Sequence, residues 1–232
     1  MTDEVELWLA DPADAGDAAL ALLDVEERAR MGRFVFEKDR RLYLAAHALV
    51  RRALSRRAAV DPAAWRFVAE AGGRPVIAGP APVPPLRFNL SHCKGLVACA
   101  VAEGRDVGVD VEALGELPRD LIDRICAPAE AAALRALPPE AQPERFFTLW
   151  TLKEAYVKAR GQGLALPVEE ACFELAAPGT PGAEAPPRFR PGPVLDDDPA
   201  AWMFVRLRPT PAHCAAVCIA RPPARLVLRW DR

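Results

Sequence analysis

Three histidines and three methionines are all that the 232 residues contain, and none of the six cysteines (Cys93, Cys99, Cys126, Cys172, Cys214, Cys218) belongs to a Cys-x-x-Cys pair. A chain of this length needs no disulfide staples, so these thiols are expected to be reduced and mostly packed. His213, Cys214 and Cys218 offer three zinc-ligand types, but Ala215, Ala216, Val217, Ile219 and Ala220 around them read as a buried strand. No apolar run approaches the ~20 residues that span a bilayer. The acidic stretch from Met1 to Asp14 lacks the basic-then-apolar order of a secretory signal, which makes the cytoplasm the expected compartment. Charge of one sign is missing as well. With 30 basic and 32 acidic residues, no global field draws the molecule to nucleic acid or a membrane, and any basic site has to be local.

What is present is apolar: 51% of the residues, enough for one large core or two modest ones. The 24 prolines cluster at 75–85 and 178–199, and both stretches are expected to be loops. Val5 to Leu9 reads as a strand, 17–32 and 38–58 as helices, and Trp65 to Val68 as a strand after an Asp61-Pro62 cap. Three strands follow, Leu86 to Leu90, Leu96 to Ala102 and Asp106 to Glu112, the last two joined by Glu103-Gly104-Arg105 as a hairpin. Helical texture returns at 119–126, 128–137 and 144–160, then strands at 171–175, 201–208, 213–220 and 225–230. Helices and antiparallel strands segregate twice, which predicts an α+β fold with lobes at 1–105 and 106–232. His92-Cys93 before Ala98 to Ala102 faintly echoes His213-Cys214 before Val217 to Ala220.

In Val107-Gly108-Val109-Asp110-Val111-Glu112 the period of two puts both acids on one face and the valines on the other. Paired carboxylates suit a hard divalent cation, and Gly108 on the acid face would leave room for a ligand. A solvated acidic edge strand accounts for the same pattern. In the helix 144–160, Leu149, Leu152, Tyr156 and Ala159 form a core stripe, with Phe147, Thr151, Glu154 and Lys158 opposite. Glu154 and Lys158 are either a surface ion pair, worth ~0.2–0.5 kcal/mol, or a third metal carboxylate with a phosphate-binding lysine one turn on. Gly161 and Gly163 end that helix.

Three segments together resemble the Sfp-type 4′-phosphopantetheinyl transferase family: Phe88-Asn89-Leu90-Ser91-His92, Gly108-Val109-Asp110-Val111-Glu112, and Trp150-Thr151-Leu152-Lys153-Glu154-Ala155-Tyr156-Val157-Lys158. Arg28 to Phe34 and Gly73-Arg74-Pro75 also resemble family blocks, so the likeness covers about 25–165. It implies a pseudo-twofold monomer of two α+β lobes with coenzyme A between them. It also implies Mg²⁺, or Mn²⁺ in its place, on Asp110, Glu112 and Glu154, with Lys158 on a phosphate oxygen. Arg30 would meet the 3′-phosphate, Gly73 and Arg74 would border the nucleotide, and Asn89, Leu90, Ser91 and His92 would line its pocket. Position 74 is often lysine in the family, and arginine's fork is the more directional cation.

The activity implied is transfer of phosphopantetheine from coenzyme A to a serine of an apo acyl or peptidyl carrier protein, with 3′,5′-ADP leaving and Glu154 as general base. Apolar side chains between Leu117 and Ile125, and around Leu164 and Leu166, are candidates for carrier contact or for core. A coenzyme A-binding module without transfer, and a Mg²⁺-dependent phosphohydrolase, are the competing readings.

Overall fold

The computed structural model describes residues 3–70, 73–81, 85–161, 166–176 and 185–231. The chain begins with β1 (Glu4–Ala10), then α1 (Asp17–Leu20), α2 (Val25–Met31) and the long α3 (Glu37–Ser55). Asp24 and Glu27 close a reciprocal capping box that starts α2, so the helical stretch expected over 17–32 is two helices. Next come β2 (Arg66–Ala69), β3 (Pro75–Gly79), β4 (Leu86–Cys93), β5 (Leu96–Glu103) and β6 (Val107–Ala113). The second half holds α4 (Ile122–Ile125), α5 (Pro128–Arg135), α6 (Gln142–Arg160), β7 (Ala171–Glu174), β8 (Arg188–Pro191), β9 (Trp202–Thr210), β10 (His213–Ala220) and β11 (Arg225–Trp230).

Two sheets carry the architecture, ordered β11-β1-β5-β4 and β6-β10-β9. All the pairings are antiparallel except β1 with β11, which brings the C-terminal strand back beside the first. The central strands β5 and β10 are buried along all eight residues each, but the sequence echo is only partial, since His92-Cys93 closes β4 whereas His213-Cys214 opens β10. Valines and alanines of β1, β5, β6 and β10 interlock between the sheets. α3 covers the outer face of the first sheet through Leu49, Ala53 and Leu54. The equally long α6 covers the second through Leu149, Leu152, Ala155 and Tyr156. The result is an α+β stack in which each half repeats a 19-residue helix on a sheet.

Several expectations are corrected. β5 and β6 are joined by Gly104 but do not pair, because β5 already has β1 and β4 on its two edges and β6 crosses to the second sheet. β3 and β8 are strands inside the proline-rich stretches expected to be loops. Proline is tolerated there because Pro75 opens β3 and Pro191 closes β8, each in a two-stranded ribbon. Ile122 and Ile125 are core residues, and Leu117, Leu121 and Leu166 pack against that core, so burial accounts for those carrier candidates. Leu164 and Gly163 lie outside the described residues.

Candidate functional site

The valine face of β6 is buried between the sheets, and the face with Gly108, Asp110 and Glu112 turns to α6, as period-two geometry predicts. Gly108 admits the helix and not a ligand: a Cβ there would overlap the Ala155 carbonyl oxygen and meet the Ala159 nitrogen. The missing side chain sets how closely β6 and α6 approach, and so how near Asp110 lies to Lys158.

The outer edge of β6 is capped by side chains of β4. Asn89 Oδ1 accepts from the Val109 amide at 2.9 Å, and Ser91 Oγ accepts from the Val111 amide at 3.3 Å. Asn89 and Ser91 are buried, Leu90 is half-buried and His92 is exposed, so two of these four pocket candidates spend their polar atoms joining the sheets. Ser91 goes further. Its hydroxyl donates to Asp110 Oδ1 at 2.8 Å and accepts from Lys158 Nζ at 2.9 Å, while Lys158 also donates to Asp110 Oδ1 at 2.6 Å.

Asp110 Oδ1 therefore has two partners and Oδ2 none, although Oδ2 is buried. An orphaned carboxylate oxygen inside a protein is costly and calls for an occupant. Burial pushes the Asp110 carboxyl up against the pull of Lys158 and Ser91. Glu112 is pushed to about 7, first by burial and then by the Asp110 charge, with the Trp150 indole N–H at 3.1 Å holding one oxygen. Glu154 is raised by burial and by Asp110. The three carboxylates thus feel one another across the β6–α6 gap. Among the described residues no three or more His, Cys, Asp or Glu side chains are gathered at metal-ligating spacing. Mg²⁺ does not demand that, since it keeps several waters and takes one or two carboxylates plus substrate phosphate. The donor set and the orphaned oxygen fit such an ion.

His92 is at the rim, where partial desolvation and the Lys158 charge lower its pKa. Gly73, at φ +79°, makes the turn into β3 that presents Arg74. Arg74 reaches the other half of the molecule: Nη2 donates to Asp106 at 3.3 Å and Nη1 to the Ala159 carbonyl at 3.4 Å, near the end of α6. It also lines a cleft of about 370 Å³ with Pro75, Ile77, Arg87 and Phe88. Arg30 is exposed on α2 and makes no ion pair or hydrogen bond with a described residue, whereas Arg28 and Arg40 are bound to nearby carbonyls and Arg41 to Glu37.

α6 is more enclosed than its amphipathic pattern predicts. Thr151, expected on the open side, is buried, and so is Lys153. Lys153 donates to Glu130 at 2.8 Å and to the carbonyls of Val168 and Ala171. Its position is legible afterwards: residue 153 stands four after Leu149 and three before Tyr156, inside the core stripe.

Two family models cover the chain in sequence, 4′-phosphopantetheinyl transferase, N-terminal, over residues 8–104 and 4′-phosphopantetheinyl transferase superfamily over 106–218. The chain is similar to the 4′-phosphopantetheinyl transferase HetI of Nostoc sp., at 35% identity over 95% of this chain and 89% of that one. A 4′-phosphopantetheinyl transferase of Bacillus subtilis is 31% identical over 80% and 82% of the two chains. The solved holo-[acyl-carrier-protein] synthase of Thermotoga maritima aligns over 51% of this chain and 64% of its own, with 20% identity and a TM-score of 0.39. With its length matched by relatives and both family models in order along it, this chain belongs to the 4′-phosphopantetheinyl transferase superfamily.

Proposed function

We propose that this chain, as a cytoplasmic monomer, moves the 4′-phosphopantetheine arm of coenzyme A to a serine hydroxyl of an apo acyl or peptidyl carrier protein and releases 3′,5′-ADP. The observation that carries the reading is the buried, unpartnered Oδ2 of Asp110 beside Lys158, between carboxylates whose pKa values are all raised. Asp110, Glu112 and Glu154 are the residues that would hold Mg²⁺, or Mn²⁺ in its place. When bound, that ion supplies positive charge for the diphosphate oxygens.

The chain's own residues do the rest. Lys158 is partly exposed and has one N–H beyond those given to Ser91 and Asp110, which it can donate to a phosphate oxygen as charge develops there. Glu154, at the metal site, accepts the proton of the attacking serine. Ser91 holds Asp110 and Lys158 in one geometry. Arg30 and Arg74 offer cations along the first lobe and His92 an uncharged hydrogen-bonding ring, so residues 1–105 take the nucleotide, and residues 106–232 take the metal and the carrier.

The test is to incubate the purified protein with a panel of apo-carriers, coenzyme A and Mg²⁺ and to weigh the carriers. One added phosphopantetheine per carrier is expected. No gain on any carrier, beside a working control transferase, overturns the reading.

A further inference from the structure

The acid face works only if β6 and α6 keep one spacing, because Asp110 and Glu112 stand on the strand and Glu154 and Lys158 on the helix. Gly108 limits how close the two can come. It does not stop their ends from splaying, and the end beside Lys158 is held by a residue from the first half of the chain.

The last turn of a helix leaves carbonyls without partners inside the helix. In α6, Gly161 is left-handed at φ +68° and gives its N–H to the carbonyls of Val157 and Lys158 at 3.1 and 3.2 Å. The next carbonyl, that of Ala159, receives Arg74 Nη1. The cations of the turn itself are committed elsewhere, Lys158 to Asp110 and Arg160 to Tyr156 and Asp197. A guanidinium at this end also suits the negative pole of the helix dipole. Arg74 fits because residue 161 has no side chain, since a Cβ there would stand 3.0 Å from Nη1.

The same guanidinium holds the start of β6. Nη2 donates to the carboxylate of Asp106, the residue before that strand, and the Asp106 carbonyl accepts the Ala220 amide at 3.0 Å, which fixes it to the end of β10. The Arg74 side chain is only 10% exposed. Its turn is closed by Glu70, whose amide donates to the Arg74 carbonyl at 2.9 Å and whose carbonyl takes the Gly73 amide at 2.8 Å. One planar fork, anchored in the β2–β3 ribbon, therefore spans the gap at the end where Gly108 seats Ala159.

We propose that Arg74 is a positioning residue for the transfer: it clasps the end of α6 to the start of β6 and so keeps Lys158 on Asp110 across the gap. The inference rests on the transfer reading. It gives Arg74 a task that bordering a nucleotide does not include, because the two elements it joins carry the acid face and the lysine.

Three variants separate a clasp from a cation that merely meets the nucleotide. Arg74→Ala breaks both arms, and Arg74→Lys keeps the charge without the fork. Asp106→Ala, at a partly exposed side chain, removes one arm and leaves the cation in place. With the full chain, coenzyme A, Mg²⁺ and a carrier, kcat per folded protein is expected to fall about 10- to 100-fold in Arg74→Ala and less in Arg74→Lys. Asp106→Ala should lower kcat severalfold with the KM for coenzyme A at the wild-type value, and combining it with Arg74→Ala should add nothing further. A rise in KM alone in Arg74→Ala, or an unchanged kcat in Asp106→Ala, overturns the inference. Amide hydrogen exchange needs no turnover: the last turn of α6 should exchange faster in Arg74→Ala than in the wild type, and equal exchange overturns the inference as well. A wild type that transfers nothing, yet whose α6 end loosens in Arg74→Ala, would refute the transfer reading and leave the clasp standing.

Discussion

One helix carries two lysine–carboxylate pairs with opposite characters. Lys153 is fully buried, and its three N–H groups meet Glu130 and two carbonyls. Glu130 is equally satisfied, taking the Ala127 amide on one oxygen and the Phe173 amide on the other. Five residues on, Lys158 is 27% exposed and its partner Asp110 keeps one buried oxygen without a hydrogen-bond partner. A closed polar network fixes structure, because every group has its partner and nothing further can enter. An open one of the same chemistry marks a place held for a ligand.

The comparison breaks first on Lys153. Replacing it by Met leaves the Glu130 charge buried and unpaired, and a loss of about 3–5 kcal/mol is expected, measured by urea unfolding. Adding Glu130→Gln should recover part of it by removing the stranded charge. If Lys153→Met unfolds at the wild-type midpoint, the pair is not structural.

Asp110→Ala should act on the other axis. Transfer should fall by roughly 100- to 1000-fold, while the unfolding midpoint moves little, because Lys158 retains Ser91 and water. Stability lost on the scale of Lys153→Met would erase the distinction between the pairs.

Gly108→Ala sharpens the same contrast through packing. The added methyl meets the α6 backbone, and overpacking of this kind costs about 1–3 kcal/mol. Because it prises α6 from β6, activity should drop further than the loss of folded protein explains. Transfer falling only in step with the folded fraction would count against that spacing role.

The smallest effect is one of pH. Glu112 titrates near 7 in the fold against an ordinary value of 4.5, and Asp110 and Glu154 are raised too. The native state therefore holds more protons than the unfolded one across that window, so metal-free stability should fall as pH rises through it. Ionised carboxylates bind Mg²⁺ better, so the ion should raise Tm more near pH 8 than near pH 5, at roughly 2–4 °C per kcal/mol. Equal shifts at both pH values would argue that these carboxylates do not hold the ion.

Much of this site is legible in the sequence because it rests on local periods. Two-residue alternation places Asp110 and Glu112 together, and helical spacing puts Glu154 and Lys158 one turn apart. Among the described residues no helix is long and apolar enough to cross a membrane, in keeping with the absence of long apolar runs. Illegible are the features made by remote strands and helices: Asn89 and Ser91 as staples on a strand edge, Gly108 as a seat for α6, and Glu27 reaching from α2 to hold His47. β11 beside β1 and β6 in a second sheet belong to the same class, since pairing across the chain leaves no local trace.

The sequence by itself determined the type of most elements, β3 and β8 excepted, the two residue periods and the acid and base residues displayed on them, because these follow from steric and hydrophobic patterns a few residues long. Only the tertiary structure decided which carboxylate would be closed by neighbours and which left with an open oxygen. That depends on partners such as Phe173 for Glu130, or Ser91 for Asp110, brought in from 43 and 19 residues away. Satisfaction of a buried charge is a property of its surroundings, and surroundings exist only once the chain has folded.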